Sequence, residues 1–180
     1  QFKVDAVPYA HKDLDTWRHN FTGVTTLHEP TNLHVFGAVD DVWVNPAGAL
    51  LVVDYKATAK AAPVTALGPE GGWQDMYRRQ MEIYQWLLKQ NGFAVSDTGY
   101  FVYATGNPGK DAFDGKVEFE THVFPHHGTS DWVGQTLLDM KACMDSDDMP
   151  AIGTAAMGGP CEFCGYARSR TELTLAALRK

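Results

Sequence analysis

A chain of 180 residues, 44% hydrophobic and 21% charged, has enough apolar material for one cored domain without covalent staples. Its three cysteines exclude a disulfide framework and point to a reducing compartment, with the cytoplasm expected. A net charge of −7 excludes indiscriminate coating of nucleic acid, because phosphate affinity is carried largely by Lys and Arg, although a local groove can still be basic.

No apolar run is long enough to cross a bilayer, and no signal-peptide pattern, repeat or low-complexity tract appears. The first residue is Gln, and the sequence reads as a piece of a longer protein. After an irregular Asp5–Pro8 segment, Asp13, Leu14, Trp17 and Phe21 fall at helical spacing and predict a short helix over 12–20. Val24–Glu29 reads as a first strand ended by Pro30-Thr31-Asn32. His28 and His34 flank that turn without metal-pair spacing and read as structural.

The stretch from Leu33 to Lys60 holds two strand-like runs around Asn45-Pro46-Ala47-Gly48. Asn opens the turn, Pro presets its φ, and Gly suits the left-handed position after a type I turn, so a three-residue hairpin loop is expected. Asn45 then faces Ala49, and counting back puts Asp40 opposite Asp54. A two-residue loop would instead place Asp40 opposite Val53 and disperse the cluster. Leu50, Val52, Asp54 and Lys56 share one face of the second strand, while Leu51, Val53 and Tyr55 share the other. Facing carboxylates on neighbouring strands repel, so a cation between them is expected. Carboxylates plus a backbone carbonyl suit Mg²⁺ or Mn²⁺, with Lys56 one pleat along to hold water or stabilise an anionic transition state. The competing reading is a surface hairpin with its charges in water. Asp41 must point away from Asp40, outward or into a helix terminus.

Ala57–Gly72 is a long Ala-, Pro- and Gly-rich loop with Lys60 at its start, either a solvated excursion or a cover for the site. Trp73–Asn91 is the clearest helix, stopped by Asn91-Gly92. Its predicted buried stripe is Trp73, Met76, Tyr77, Gln80, Ile83, Tyr84, Leu87 and Leu88, with Arg78, Arg79, Glu82, Gln85 and Lys89 mostly opposite. Gln80 and Tyr84, four apart, stack on one face. Asp97–Thr105 predicts a buried strand, Asn107-Pro108-Gly109 and Asp114-Gly115 turns, and Lys116–Phe124 a half-exposed strand. His126 and His127 read as structural loop residues. A helix through Met144 is expected, capped by Thr129 or Ser130, with Trp132, Val133, Leu137, Met140 and Met144 as its stripe. Asp145–Pro160 reads as a linker before a basic tail over 161–180 that opens with Cys161-Glu162-Phe163-Cys164. The order of elements predicts one α/β domain over 1–180, a mixed central sheet flanked by helices.

Gly37-Ala38-Val39-Asp40, then Asp54-Tyr55-Lys56, then Gln80-Met81-Glu82-Ile83-Tyr84 resemble the GxxD, (D/E)xK and QxxxY motifs of the PD-(D/E)XK nuclease superfamily. They are most similar to its RecB-like branch, which includes nuclease domains of recombination helicases and CRISPR-associated exonucleases. The resemblance implies a restriction-endonuclease-like core and metal-dependent hydrolysis of DNA, single strands included, in repair, recombination or defence. By it Asp40, Asp54 and the Tyr55 carbonyl hold Mg²⁺ or Mn²⁺, Lys56 is catalytic, and Gln80 and Tyr84 position substrate. It places a first-motif helix at or upstream of the N-terminus, with His11 and His19 as poor stand-ins, and makes Glu29 a candidate outer ligand. Several branch members bind an iron–sulfur cluster through tail cysteines together with an upstream Cys. Here no Cys stands near Arg170, so neither a cluster nor zinc is expected at Cys161 and Cys164, which read as a packing staple. Two rivals are an inactive nucleic-acid-binding or assembly module of the same fold and a zinc-dependent interaction domain. A helicase or CRISPR partner is left open.

Overall fold

The computed structural model describes residues 2–109, 115–155 and 158–179. Its centre is β5 (Leu50–Ala59), whose first five residues are all buried, as expected of a strand paired on both sides. The five-stranded mixed sheet has the order β1-β4-β5-β6-β7, built from β1 (Val7–Pro8), β4 (Asp41–Val44), β5, β6 (Thr98–Gly106) and β7 (Phe119–His127). Only the β5–β6 pair is parallel among these, and a parallel neighbour needs a crossover. The connection supplies it as a loop followed by α2 (Asp75–Gln90), which packs Met81, Leu87 and Leu88 fully buried on the sheet. Burying each such side chain contributes about 1.5–3 kcal/mol. Gly99 leaves the room that the Met81 sulfur occupies. At the end of α2 the Asn91 N–H donates to the Leu87 and Leu88 carbonyls and the Gly92 N–H to the Lys89 carbonyl, and Gly92 adopts φ +83°, the expected left-handed stop.

The predicted turn is present. Gly48 N–H donates to the Asn45 carbonyl, Asn45 pairs with Ala49, and Gly48 has φ +81°. The β4–β5 ladder follows in the register counted from the sequence, from Val44↔Leu50 to Asp41↔Val53.

Several expectations are corrected. The strand starting at Leu33 does not run into the sheet: β3 (Leu33–Gly37) pairs only with β2 (Val24–His28) in a separate two-stranded sheet beside α2. The chain bends through Ala38–Asp40 before β4 begins. β5 continues to Ala59, because β6 pairs with it as far as Gly106, so the crossover loop starts at Lys60. On α2 the buried arc is rotated from the predicted stripe. Gln85 is fully buried with its amide on the Ser96 carbonyl, whereas Met76 is 53% exposed. The cause is cover on two flanks, the β2–β3 hairpin on one, and on the other Ser96 with Trp132, the first residue of α3 (Trp132–Asp145). β7 reaches His127, so His126 is a strand residue, and its Nε2 meets Glu82 Oε1 at 2.9 Å.

The short N-terminal helix is α1 (Leu14–Arg18). For α3 the N-cap is Asp131, without a side-chain cap bond, and only Val133 and Leu137 of its stripe are buried. The tail forms α4 (Glu162–Leu178), which buries no residue, so Cys161 and Cys164 do not staple it to the core. The turn read at Asp114-Gly115 and the linker over 145–160 fall partly outside the described residues. No helix among them is long and apolar enough to cross a membrane.

Candidate active site

At the C-terminal half of β5 the apolar face that carries Leu50 and Val52 continues into Asp54 and Lys56. Asp54 is 2% exposed, and its Oδ2 has no hydrogen-bond partner among the described residues. Lys56 Nζ lies 2.5 Å from that oxygen and forms an ion pair with it. Burial pushes the Asp54 carboxyl above the usual carboxylate range; the Lys56 ammonium opposes the shift and the Asp40 charge adds to it. The charge conflict expected from the sequence is therefore present.

Asp40 is exposed at the bend, one residue before the ladder begins, and by that register it falls opposite Asp54. Its Oδ2 accepts the Tyr55 N–H at 2.8 Å, which fixes the carboxylate against β5. A strand residue directs its N–H and C=O to the same side, so the Tyr55 carbonyl shares the edge occupied by Asp40. Two carboxylates and a carbonyl form an all-oxygen donor set with a buried oxygen lacking a hydrogen bond, which fits a hard divalent cation that retains several waters. Among the described residues no group of three or more His, Cys, Asp or Glu side chains is arranged for a metal.

Lys56 is held from the α2 side as well. Its ammonium donates to Gln80 Oε1 at 3.2 Å and lies 4.6 Å from the Tyr77 ring centroid. Gln80 Nε2 in turn donates to the Tyr84 hydroxyl at 2.8 Å. The predicted residues Asp54, Lys56, Gln80 and Tyr84 thus form one continuous chain of polar contacts, with Asp40 beside it. Burial raises the Tyr84 phenol; the Gln80 bond opposes this, and the Asp54 and Asp40 charges add to it.

The reverse face carries a second cluster that sequence reasoning missed. Asp41 is not turned outward: it is 8% exposed, and its carboxylate accepts from Arg18 Nη2 and, at 2.8 Å, from the Tyr55 hydroxyl. Arg18, the last residue of α1, also donates through Nε to the Asp40 carbonyl at 3.0 Å. One guanidinium therefore grips both aspartates, one by its backbone and one by its side chain. Burial and the Asp41 bond push the Tyr55 phenol up to about 12. No spacing links Arg18 to residue 41; the adjacent acids were the only available signal.

The remaining candidates lie elsewhere. Glu29 follows the end of β2 at which His28 pairs with Leu33, opposite the Val24↔Gly37 end next to the site. His11 Nδ1 accepts the Asp13 N–H and its ring stacks on Trp17 at 4.5 Å; His19 Nδ1 accepts the Phe21 N–H. His28 bonds Thr31 and His34 bonds Thr25. The loop carrying Lys60 is tied down by Arg78, which reaches Asp75 and the Gly68 carbonyl.

Comparison with known proteins gives one finding of family. A model of the PD-(D/E)XK nuclease superfamily matches residues 5–169, a span that contains the whole arrangement just described. No curated protein and no solved structure matches the chain. The mixed sheet flanked by helices agrees with the restriction-endonuclease-like fold of that family. With the match extending over most of its length, the chain belongs to the PD-(D/E)XK nuclease superfamily.

Proposed function

We propose that the chain is a Mg²⁺- or Mn²⁺-dependent nuclease that hydrolyses DNA phosphodiester bonds. The observation that carries this reading is the buried Asp54 oxygen, without a hydrogen bond, placed between Lys56 and the side of β5 held by Asp40. Asp40, Asp54 and the Tyr55 carbonyl would hold the ion, which when bound lowers the pKa of water and neutralises charge building on the phosphate. Lys56 supplies a second positive charge beside the scissile group, aimed by Gln80 and Tyr77. Gln80 and Tyr84 hold the strand at the mouth. The order of Gly37 to Asp40, Asp54 to Lys56 and Gln80 to Tyr84 supports the RecB-like branch within the superfamily, and with it a role in repair, recombination or defence. Three free cysteines support a reducing, cytoplasmic setting.

The absence of a larger acidic or His cluster among the described residues favours one rival, an inactive nucleic-acid-binding module of this fold. Incubation of labelled single- and double-stranded DNA with Mn²⁺ separates the two. A nuclease cuts, and Asp40→Ala, Asp54→Asn and Lys56→Ala each abolish cutting; metal-dependent cleavage surviving Asp40→Ala or Lys56→Ala removes the assignment. An inactive module neither cuts nor shows Asp40-dependent Mn²⁺ binding by calorimetry.

A further inference from the structure

The tail holds a pair of nucleophiles that the candidate active site does not use. Cys161 is the N-cap residue of α4 and Cys164 the third residue of the helix, so both thiols stand at its first turn. The backbone of Cys161 is held from both sides: its N–H donates to the Gly153 carbonyl at 2.7 Å, and its carbonyl accepts the Gly165 N–H at 3.0 Å. The Cys161 sulfur accepts from the Cys164 N–H, from the Cys164 thiol and from the Phe163 N–H. These bonds lower the Cys161 thiol below its ordinary value, against desolvation and the Glu162 charge. Both sulfurs belong to half-buried residues that solvent reaches. Two other roles do not suit the pair. α4 buries no residue, so the cysteines anchor nothing to the core. A closed thiolate metal site needs four ligands, and among the described residues no group of three or more His, Cys, Asp or Glu side chains is arranged to hold an ion.

We propose that Cys161 and Cys164 form a reversible redox pair that exchanges with low-molecular-weight disulfides, Cys161 being the attacking group and Cys164 the resolving one. The Cys161 thiolate attacks one sulfur of the small disulfide and expels the other as a thiolate, leaving a mixed disulfide on Cys161. Cys164 then gives up its proton and attacks the Cys161 sulfur, which closes the internal bridge and expels the second thiolate. Two protein thiols are oxidised, one small disulfide is reduced to two thiols, and the two cysteine protons pass to the leaving thiolates. Residues three apart on a helix are neighbours, and these thiols already touch, so the bridge closes within the first turn of α4. In a reducing setting the pair rests as the dithiol and closes when small disulfides accumulate. The inference is independent of the nuclease reading, since it uses no residue of that site.

The test treats the whole reduced chain with oxidised glutathione and reads the products by mass spectrometry of thiol-blocked digests. The parent is expected to lose two hydrogen atoms on the peptide that carries both cysteines, and excess reduced glutathione to restore them. Cys143→Ser should leave this unchanged. Cys164→Ser is expected to stop at a mixed disulfide on Cys161, because the second attack is missing, and Cys161→Ser to take up glutathione more slowly. Alkylation of the reduced parent by iodoacetamide at about pH 6.5 should run at least roughly 3-fold faster at Cys161 than at Cys143, after allowance for the weaker nucleophilicity of a more acidic thiol. Cys143 is the more exposed of the two, so access alone predicts the reverse. No internal bridge, a mixed disulfide that persists in the parent, disulfide-linked dimers in its place, or alkylation no faster at Cys161 than at Cys143 overturns the proposal. So does stoichiometric zinc or iron in the purified chain that is lost in Cys161→Ser, which would make the pair part of a metal site.

Discussion

The Tyr84 ring occupies the space that a side chain on Gly37 would need: a β-carbon built there lies 2.6 Å from Tyr84 Cε1 and 3.3 Å from Leu87 Cδ1. The glycine is required by close approach of β3 to α2, not by its backbone angles. Gly37→Ala is expected to displace Tyr84, break its bond from Gln80 and destabilise the fold by about 1–3 kcal/mol. Urea unfolding measures this. In a Tyr84→Ala background the same substitution should cost much less, because the clash is gone; additive losses would show that the two residues do not meet as described.

Asp54 and Lys56 predict opposite effects from neighbouring substitutions. Because burial outweighs the Lys56 charge, Asp54 binds its proton more tightly in the folded chain than at the ordinary value of 3.8. The stability linked to that proton is fully present below 3.8 and is lost as pH rises through the higher folded value. Asp54→Asn is therefore expected to stabilise the metal-free protein at neutral pH by on the order of 1 kcal/mol, roughly 2–4 °C in Tm for a domain of this size. It should also flatten the decline between mildly acid and neutral pH, and Mn²⁺ should no longer raise Tm. Lys56→Ala leaves the buried carboxylate without its counter-charge and is expected to destabilise by about 1–3 kcal/mol. Thermal melts with and without Mn²⁺ at several pH values check both, and a lower Tm for metal-free Asp54→Asn contradicts the sign.

Arg18 makes a prediction about positioning. Its Nε bond to the Asp40 carbonyl sets the bend that aims the Asp40 carboxylate, and its Nη2 neutralises the buried Asp41. Arg18→Ala is expected to destabilise by roughly 1–3 kcal/mol, since Asp41 keeps only the Tyr55 hydroxyl and its own strand's amide. The half-exposed guanidinium keeps the effect at the low end. Mn²⁺ affinity by calorimetry should fall as well, although Arg18 touches no proposed ligand atom. Pairing Arg18→Ala with Asp41→Asn separates the roles: stability should recover while metal affinity stays low, because only the Asp40 carbonyl contact is then missing.

What the sequence disclosed here was local. The Asn45 to Gly48 turn fixes its own register, and register decides which side chains share a face, so Asp54, Lys56 and the position of Asp40 followed from counting. Gln80 and Tyr84 followed from helical spacing. Features created by tertiary contact did not. Whether β3 enters the central sheet depends on a bend at Ala38–Asp40 that no turn residue announces, and Arg18 reaches Asp41 from 23 residues away. The buried arc of α2 was misread for the same reason. Periodicity assumes one covered face, but a helix with a hairpin on one flank and Ser96 with Trp132 on the other buries Gln85 as completely as Leu88.

Glu82 is the strongest case of that second flank. Predicted on the exposed side of α2, it accepts from Trp132 Nε1 at 2.6 Å through one oxygen and meets His126 Nε2 at 2.9 Å through the other. It thereby joins α2 and β7 to the start of α3, whose first two turns bring Trp132, Val133 and Leu137 against the core. Removing the carboxylate strands an indole N–H and an imidazole nitrogen in a half-buried setting, so Glu82→Ala is expected to destabilise by about 1–3 kcal/mol. Glu82→Gln retains an acceptor for the indole and should lose less. The readout is local: emission of Trp132, isolated by replacing the other tryptophans with Phe, should shift to the red in Glu82→Ala under native conditions. Amides of α3 should exchange faster than those of β5. Site chemistry should be nearly untouched, because Lys56, Gln80 and Tyr84 sit on the opposite flank of α2. Equal losses of α3 protection and of Mn²⁺ binding would instead show that the helix transmits strain from its Glu82 edge to its Gln80 edge.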